Sequence, residues 1–285
     1  MVAAFCSTMP VAALAAGSRV KHSHQPASRP STSSSVSTRA ALGSFFPKGM
    51  MRFASTDYGA MKAAGFNTVS DANNVEILNQ LAAQGLKGFV WLGAWNHGSC
   101  SWEYSDGEVA RIVQGVKGHP ALLAYELGDE PLQTPCSNAP NAYRIRTALV
   151  HSLDPAAITF TIDDELNDPS STPATIVMKG SVDVLAFDVY PCQVGQACDF
   201  SMIDRAVNAI HAQGISTWWA VMQDFQDDVW RFPTASELHQ QYLHWAGSAM
   251  SGYLFFSWDY LGNKLQSQPG NLEALTTDTL AKSRA

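Results

Sequence analysis

Eight apolar runs of strand length alternate with segments of helical periodicity, and this alternation constrains the fold more than any other feature of the chain. The apolar runs cover residues 41–46, 66–71, 87–93, 121–127, 157–162, 182–189, 215–222 and 253–258. The helical segments cover residues 58–64, 74–84, 106–117, 141–152, 173–179, 199–213 and 235–250, with a last helix within 272–285. Strands separated by helices pair in parallel through right-handed crossovers. Eight such strands favour an α/β fold closed into a single (β/α)8 TIM barrel over an open sheet.

The length and composition of the chain fit one domain of this kind. A barrel typically needs about 250 residues, and the region from residue 40 to residue 285 has that size. Hydrophobic residues make up 46% of the chain and charged residues 15%, which is a globular composition with ample core. We therefore expect one barrel domain over 40–285, and we expect the protein to be a monomer.

The first 39 residues differ in composition from the rest. Residues 1–17 are small and apolar and end in a small-residue pattern at Ala13 to Ala15, which predicts a cleaved secretory signal, although the usual basic residues before it are missing. Residues 18–39 are rich in Ser, Thr, Pro and His and cannot bury enough apolar surface to fold. The sequence thus predicts a secreted protein with a disordered linker before its domain.

The sequence lacks the patterns that are typical of several classes of function, and we therefore exclude these classes. The net charge is −7 and the chain has no Lys/Arg cluster, so nucleic acid is not an expected partner. No run of about 20 apolar residues predicts a membrane span. No Gly-rich phosphate loop follows a strand, no nucleophile elbow occurs, and no residue spacing matches a metal loop. We expect no nucleotide cofactor and no metal.

Four cysteines remain after Cys6, which lies within the predicted signal. None of the four has the close pair spacing of a zinc site. Cys192 and Cys198 flank a short loop and are expected to pair, which leaves Cys100 to pair with Cys136. Two disulfides fit an oxidising compartment, and four reduced buried thiols are the alternative.

Polar and aromatic residues gather where the predicted strands end, which is the catalytic face of a (β/α)8 barrel. The candidates are Asp71, Trp95, Asn96, Asp129, Glu130, Asp188, Tyr190, Trp219, Gln223 and Trp258. Carboxylates among aromatic rings suit sugar chemistry, because rings pack on the apolar faces of pyranoses while carboxyl groups transfer protons at the glycosidic bond. The sequence therefore predicts a carbohydrate ligand.

Side-chain alternation along the strands selects a pair within this set. Residues 126, 128 and 130 share one face of the fourth strand, whereas Asp129 takes the other face. Asp188 and Tyr190 share a face of the sixth strand. If both faces point inward, the side chains of Glu130 and Asp188 point into the same end of the barrel.

The stretch YELGDEP at 125–131 resembles the strand-4 motif of the retaining glycoside hydrolases with eightfold barrels, often called clan A. Their motif usually reads Trp-Glu-Leu-x-Asn-Glu-Pro, and its last Glu is the acid/base. Further similar stretches are GFNTVSD at 65–71, VDVLAFDVYP at 182–191 and YLFFSWDY at 253–260. The resemblance spans residues 41 to about 262, in the order of the family. It implies a glycoside hydrolase with Glu130 as general acid/base.

Two departures from the family pattern bear on the mechanism. Asp129 stands where the family usually has Asn, and Gln223 stands where its strand-7 nucleophile Glu is expected. Asp188, on the sixth strand, then becomes the candidate nucleophile or base. In an alternative reading, Asp129 orients a 2-acetamido group with help from Tyr190 and Gln223, as in substrate-assisted hexosaminidases. A third interpretation is a barrel that binds glycans without cleaving them. The other strand-end candidates are expected to contact the sugar.

Overall fold

The computed structural model describes residues 42–132, 136–168, 175–262 and 264–280. The predicted signal at 1–17 and the predicted linker at 18–39 lie outside the described residues. No helix among the described residues is long and apolar enough to cross a membrane.

Eight parallel strands close into a barrel, which confirms the predicted fold. In order around the barrel they are β1 (Lys48–Met50), β2 (Thr68–Val69), β3 (Lys87–Trp91), β6 (Leu122–Asp129), β7 (Thr159–Asp163), β8 (Val184–Asp188), β9 (Trp218–Gln223) and β10 (Tyr253–Phe256). β10 pairs with β1, so that Gly49 lies opposite Leu254 and the sheet has no free edge. An antiparallel hairpin of β4 (Trp95–Asn96) and β5 (Ser101–Trp102) follows β3.

Seven α-helices of the described residues pack around the barrel. They are α1 (Tyr58–Ala63), α2 (Val75–Ala83), α3 (Asp106–Val116), α4 (Ala139–Leu153), α5 (Ser201–Ala212), α6 (Ala235–Ala246) and α7 (Pro269–Leu280). Ser105 before α3 and Thr234 before α6 each form a capping box with a Glu three residues later, which satisfies the first backbone N–H groups of these helices.

Two predicted elements are wrong. The apolar run 41–46 is not the first strand, because Phe45 N–H donates to Leu42 O and Gly43 has φ +57°, so its described part forms a turn. The helix expected over 173–179 is also missing from its described part, 175–179. There the Lys179 N–H donates to Ile176 O, a bond that closes a turn, and the segment leads directly towards β8.

The interior of the barrel is filled by aromatic rings. Phe89, Phe160 and Trp219 contact one another with ring centroids 4.7–5.3 Å apart. All three side chains are fully buried. The barrel is therefore packed through its middle, and a ligand can enter only at its ends.

Two disulfides tie loops to the barrel, and both predicted pairings are confirmed. Cys100–Cys136 joins the β4–β5 hairpin to the segment before α4. Cys192–Cys198 closes a short loop after β8. Both cross-links lie beyond the carboxyl ends of the strands, where the loops form the mouth of the barrel.

Candidate active site

A cleft with two lobes lies across the carboxyl ends of the barrel strands. The first lobe, of about 270 Å³, is lined by Met51, Arg52, Phe53, Ser70, Asp71, Trp91, Glu126, Asp129 and Phe256. The second lobe, of about 360 Å³, is lined by Met51, Phe53, Asp129, Glu130, Ile162, Asp188, Tyr190, Phe225, Asp227, Trp230, Phe256 and Tyr260. The lobes share four lining residues, so that Asp129 stands where they meet.

The end of β6 is bent so that two successive acids reach the cleft. The pairing register between β6 and β7 shifts between Glu126 and Asp129, and Gly128 has φ +58°. Glu130 follows at φ +44°, with its N–H donating to Ile162 O at 3.0 Å. The prediction that Asp129 points away from Glu130 is wrong, because this bulge breaks the strict alternation of side chains.

Only glycine fits at position 128. A Cβ there would lie 2.4 Å from the Tyr143 hydroxyl and 3.2 Å from the backbone nitrogen of Trp95. The left-handed backbone conformation also disfavours any residue with a Cβ. The close packing of β6 against Tyr143 and Trp95 therefore fixes the bulge that presents the two acids.

Glu130 and Asp188 are brought together in the second lobe. Both side chains line this lobe, and Glu130 is near enough for its negative charge to act on the Asp188 carboxyl. Asp188 is 1% exposed and no N–H or O–H donates to its oxygens in standard geometry. Burial, and then the neighbouring carboxyls of Glu130 and Asp129, raise its pKa well above the usual range. Ionisation of both carboxyls at once is therefore disfavoured at this point of the cleft.

Tyr190 also lines the second lobe, beyond the end of β8. The pKa of its hydroxyl is raised by burial and then by the nearby Asp188 carboxyl. The hydroxyl therefore stays protonated and remains a hydrogen-bond donor beside the acid pair.

Asp129 is accessible from the mouth of the cleft, although protein atoms surround its carboxyl on most sides. This enclosure, together with the negative charges of Glu130 and Asp164, raises its pKa to about 7. A carboxyl group that titrates near neutral pH can serve either as an acid or as a base.

The first lobe holds two more acids and one cation. Burial raises the pKa of Glu126 well above its usual range, with further contributions from Asp129 and Asp71. Burial also raises the pKa of Asp71, although the Arg52 guanidinium acts in the opposite direction. Arg52 donates to the Asp71 backbone oxygen at 3.0 Å and lies 5.4 Å from the centre of the Tyr58 ring.

An aromatic wall lines the second lobe together with the carboxyls. Phe225 is at its centre, with ring centroids 4.8–5.8 Å from those of Tyr190, Trp230, Phe256 and Tyr260. Phe53 extends this wall towards the first lobe at 5.6 Å from Phe256, and its ring is 49% exposed. Partly exposed rings beside carboxyl groups form a surface suited to the apolar faces and hydroxyl groups of a sugar.

Gln223 lies outside the cleft, in contrast to its predicted sugar contact. Its side-chain oxygen accepts from the Cys192 N–H at 2.9 Å, and its side-chain nitrogen donates to the backbone oxygens of Cys192 and Arg231. The side chain is fully buried and braces the disulfide loop against the segment after β9. This bonding leaves no free polar group for a ligand.

Four other predicted contacts also lie outside the cleft. Trp219 is in the aromatic interior of the barrel. Trp95 packs against Trp102 with centroids 5.2 Å apart, and the Asn96 carboxamide accepts from the Ser99 N–H in the hairpin turn. Trp258 is 1% exposed and adjoins a separate pocket beside Asp259. The expectation that site residues follow the carboxyl ends of the strands located these residues at the correct end of the barrel. It could not give the depth or direction of their side chains.

The structure therefore brings together Asp71, Asp129, Glu130, Asp188 and Tyr190 among the predicted site residues. Sequence reasoning missed Arg52, Phe53, Glu126, Phe225, Trp230 and Phe256. The sequence could have indicated Glu126, since it belongs to the same motif and the same strand as Glu130. No strand-end pattern indicates Trp230, because it lies in the loop after β9. That loop is aligned by the bond from Val194 N–H to Val229 O at 2.9 Å.

The cleft carboxyls are not grouped closely enough to share one ion. Among the described residues, one set of His, Cys, Asp or Glu has ligand atoms within 4.8 Å of each other, and it consists of Cys192, Cys198 and Glu237. Both cysteines of this set are in a disulfide, so their sulfur atoms are not free thiolates.

Comparison with solved structures relates this fold to that of glycoside hydrolases. The β-galactosidase of the psychrophilic Marinomonas ef1 aligns with 82% of the chain at 10% identity and a TM-score of 0.58. The β-D-glucuronidase of Dictyoglomus thermophilum aligns with 82% at 15% identity and 0.54. The β-glucuronidase of Parabacteroides merdae aligns with 75% at 12% identity and 0.51. The chain thus shares the barrel fold of these enzymes.

The chain is much shorter than these proteins. It spans 32% of the Parabacteroides merdae enzyme, 50% of the Dictyoglomus thermophilum enzyme and 59% of the Marinomonas ef1 enzyme. No protein-family model matches the sequence. No curated protein matches it either.

Proposed function

We propose that the protein is a secreted glycoside hydrolase that cleaves a poly- or oligosaccharide, with Glu130 as its general acid/base. The observation that carries the proposal is the pair of neighbouring carboxyls, Glu130 and Asp188, in the lobe that the aromatic wall also lines. Glycosidic cleavage needs a carboxylic acid that is still protonated near neutral pH. Neighbouring carboxyls that disfavour each other's ionisation support this role.

Glu130 is the member of the pair that would deliver the proton. It is partly exposed and lines the second lobe, whereas Asp188 is almost fully buried. After Glu130 has given its proton to the glycosidic oxygen, its carboxylate would take a proton from the attacking water and so be restored. Glu130 would thus act first as acid and then as base during one turnover.

The group that acts together with Glu130 has two candidates. The first is Asp188, which would act as nucleophile in a retaining enzyme or as base in an inverting enzyme. A retaining enzyme needs about 5–5.5 Å between the two carboxyls and an inverting enzyme about 6.5–9.5 Å.

The second candidate is the substrate itself, and the position of Asp129 supports this substrate-assisted alternative. In that mechanism the 2-acetamido group of the sugar is the nucleophile, Asp129 orients it, and Tyr190 donates a hydrogen bond to it. Asp129 stands at the junction of the lobes beside the acid, where such a group would have to lie.

The test is hydrolysis of a broad polysaccharide panel, including polymers with and without 2-acetamido groups. We expect Glu130→Gln to lose about a thousandfold in kcat/KM on the substrate that the wild type cleaves. An equal loss in Asp188→Asn supports direct displacement. A loss in Asp129→Asn without a loss in Asp188→Asn supports substrate assistance. Glu273→Gln, an exposed carboxyl on α7, is the matched control.

A glycan-binding barrel without catalysis is the second candidate function. The observation in its favour is Gln223, an amide committed to backbone hydrogen bonds at the strand where the family carries its nucleophile. A wild type that cleaves no member of the panel but binds one of them, with affinity that falls in Trp230→Ala, would establish this function in place of hydrolysis.

Secretion is supported by the two disulfides, because such bonds persist in oxidising compartments. Mass spectrometry of the protein recovered outside its host cell tests this part. Alkylation of Cys100, Cys136, Cys192 or Cys198 without prior reduction would contradict it.

A further inference from the structure

A third pocket adjoins the cleft beyond the rim of the barrel. This outer pocket, of about 260 Å³, is lined by Asn73, Trp91, Tyr104, Glu108, Arg111 and Ile112. Trp91 lines both the outer pocket and the first lobe of the cleft. The first lobe in turn shares Asp129 with the second lobe, so the three spaces follow one another across the mouth of the barrel.

The aromatic residue on the far side of the outer pocket is held in a fixed position. Tyr104 packs on Gly93, where a Cβ would lie only 2.7 Å from the tyrosine ring. Arg146 donates to the Tyr104 backbone oxygen at 2.9 Å, while its guanidinium lies 4.6 Å from the centre of the Trp102 ring. The packing and the hydrogen bond both restrain Tyr104, so its half-buried ring needs little ordering when it meets a ligand.

The segment that carries Tyr104 is braced from both sides. The Glu103 N–H donates to Ala94 O at 2.9 Å, and the Glu103 carboxylate accepts from the Ala94 N–H at 3.0 Å. The disulfide Cys100–Cys136 anchors the same hairpin. The outer pocket is therefore part of the rigid frame of the barrel rather than a gap between loose loops.

The polar groups of the outer pocket suit the hydroxyls of an uncharged sugar. Arg111 and Glu108 oppose each other in charge, and the Glu108 carboxylate already accepts from the Ser105 N–H and hydroxyl at the start of α3. Asn73 and Arg111 are exposed and offer donors and an acceptor towards the ring faces of Trp91 and Tyr104. An aromatic surface bordered by amide and guanidinium groups is a typical arrangement for holding a pyranose.

We infer that a glycan chain continues from the cleft across Trp91 into the outer pocket, so that the substrate is a chain of several sugars. This inference rests on the proposed function and adds a distal sugar subsite formed by Tyr104 and Arg111. The bond to be cut lies at Glu130 in the second lobe, and the first lobe and the outer pocket bind the sugars on one side of it.

Calorimetric titration of the Glu130→Gln protein, which should bind without turnover, tests the inference. The probes are the hexasaccharides and disaccharides of β-1,4-glucan, β-1,3-glucan, xylan, mannan and chitin. We expect the bound hexasaccharide to exceed its disaccharide in affinity by about tenfold or more. Tyr104→Ala and Arg111→Ala should each lower hexasaccharide affinity roughly two- to tenfold and leave the disaccharide unchanged, as loss of one ring or polar contact implies.

Arg144→Ala is the matched control, because Arg144 is an exposed arginine on α4 that contacts Asn141 and lies away from all three spaces. Arg111 is exposed on α3, so its variant tests the subsite even if Tyr104→Ala fails to fold. Equal affinity for hexasaccharide and disaccharide, or an unchanged hexasaccharide affinity in Arg111→Ala, overturns the inference and leaves the proposed function standing. Failure to bind any probe overturns both.

Discussion

Replacing Gly128 with Ala tests the link between the packing of β6 and the position of the two acids. The native φ of +58° is unfavourable for alanine, and the new methyl would lie 2.4 Å from the Tyr143 hydroxyl. The buried Tyr143 ring packs on the buried Trp95 ring with centroids 5.9 Å apart, so it can yield little space. The backbone that carries Asp129 and Glu130 must therefore shift.

The expected loss of stability has two parts. The left-handed conformation costs alanine about 1–2 kcal/mol, and overpacking of a filled core costs about 1–3 kcal/mol more. We expect the free energy of unfolding to fall by about 2–5 kcal/mol in Gly128→Ala. Gly180→Ala is the matched control, because Gly180 has φ +79° with no atom near its missing Cβ. Its loss should be limited to about 1–2 kcal/mol.

Urea unfolding measures both variants, and glycan affinity in the same preparations measures the site. Tyr143→Phe supplies the decisive comparison, since the tyrosine hydroxyl forms no hydrogen bond of standard geometry and its removal opens the space that the methyl needs. The double variant should recover about 1 kcal/mol or more of the overpacking cost. Equal losses in Gly128→Ala and Gly180→Ala, with no recovery in the double variant, would refute the packing argument.

Three further predictions concern acidity, the aromatic wall and the disulfide loop. Burial raises the pKa of Asp163 to about 7, so the folded protein binds a proton that the unfolded chain releases near pH 4. Stability should therefore fall as the pH rises from about 4 to 7, and urea midpoints at pH 5 and 7.5 should differ less in Asp163→Asn. Trp230→Ala should weaken glycan binding roughly tenfold in calorimetry, and unchanged affinity would remove the wall from the site. Replacing Cys192 and Cys198 with Ser should lower the free energy of unfolding by about 2 kcal/mol, measured by urea unfolding. It should also weaken glycan binding, because the loop that the disulfide closes aligns Trp230. Unchanged stability and unchanged binding would contradict this role.

The barrel could be predicted from the sequence because its strands are buried on both faces. Such strands appear as uninterrupted apolar runs, and the helices between them keep a different period. The same signal misplaced the first strand, since residues 41–46 are as apolar as β1 but turn at Gly43. Burial alone does not tell a strand from an apolar turn.

The expectation that site residues follow the carboxyl ends of the strands found the acids of the site more reliably than its aromatic residues. Asp129, Glu130 and Asp188 had to lie at the mouth, because the middle of a packed barrel leaves no room for unpaired charges. Trp219 and Trp258 satisfy the same rule from buried positions, since a large apolar ring is equally stable inside the core.

The direction of a side chain at a strand end was beyond sequence reasoning. The bulge at Gly128 turned Asp129 into the cleft against the alternation, and the loops at Cys192 and Arg231 bound the side chain of Gln223. Both outcomes depend on contacts between segments that are distant in sequence. Those contacts also place Trp230, which no strand-end pattern indicates.

The most direct test of Glu130 as the general acid compares two leaving groups. On a natural glycan the leaving oxygen needs a proton, whereas a dinitrophenyl glycoside leaves as a stable anion without one. The account predicts that Glu130→Gln loses about a thousandfold in kcat/KM on the glycan and far less on the dinitrophenyl glycoside of the same sugar, while Glu273→Gln loses little on either. Equal losses of Glu130→Gln on both substrates would contradict the assignment of Glu130 as the acid.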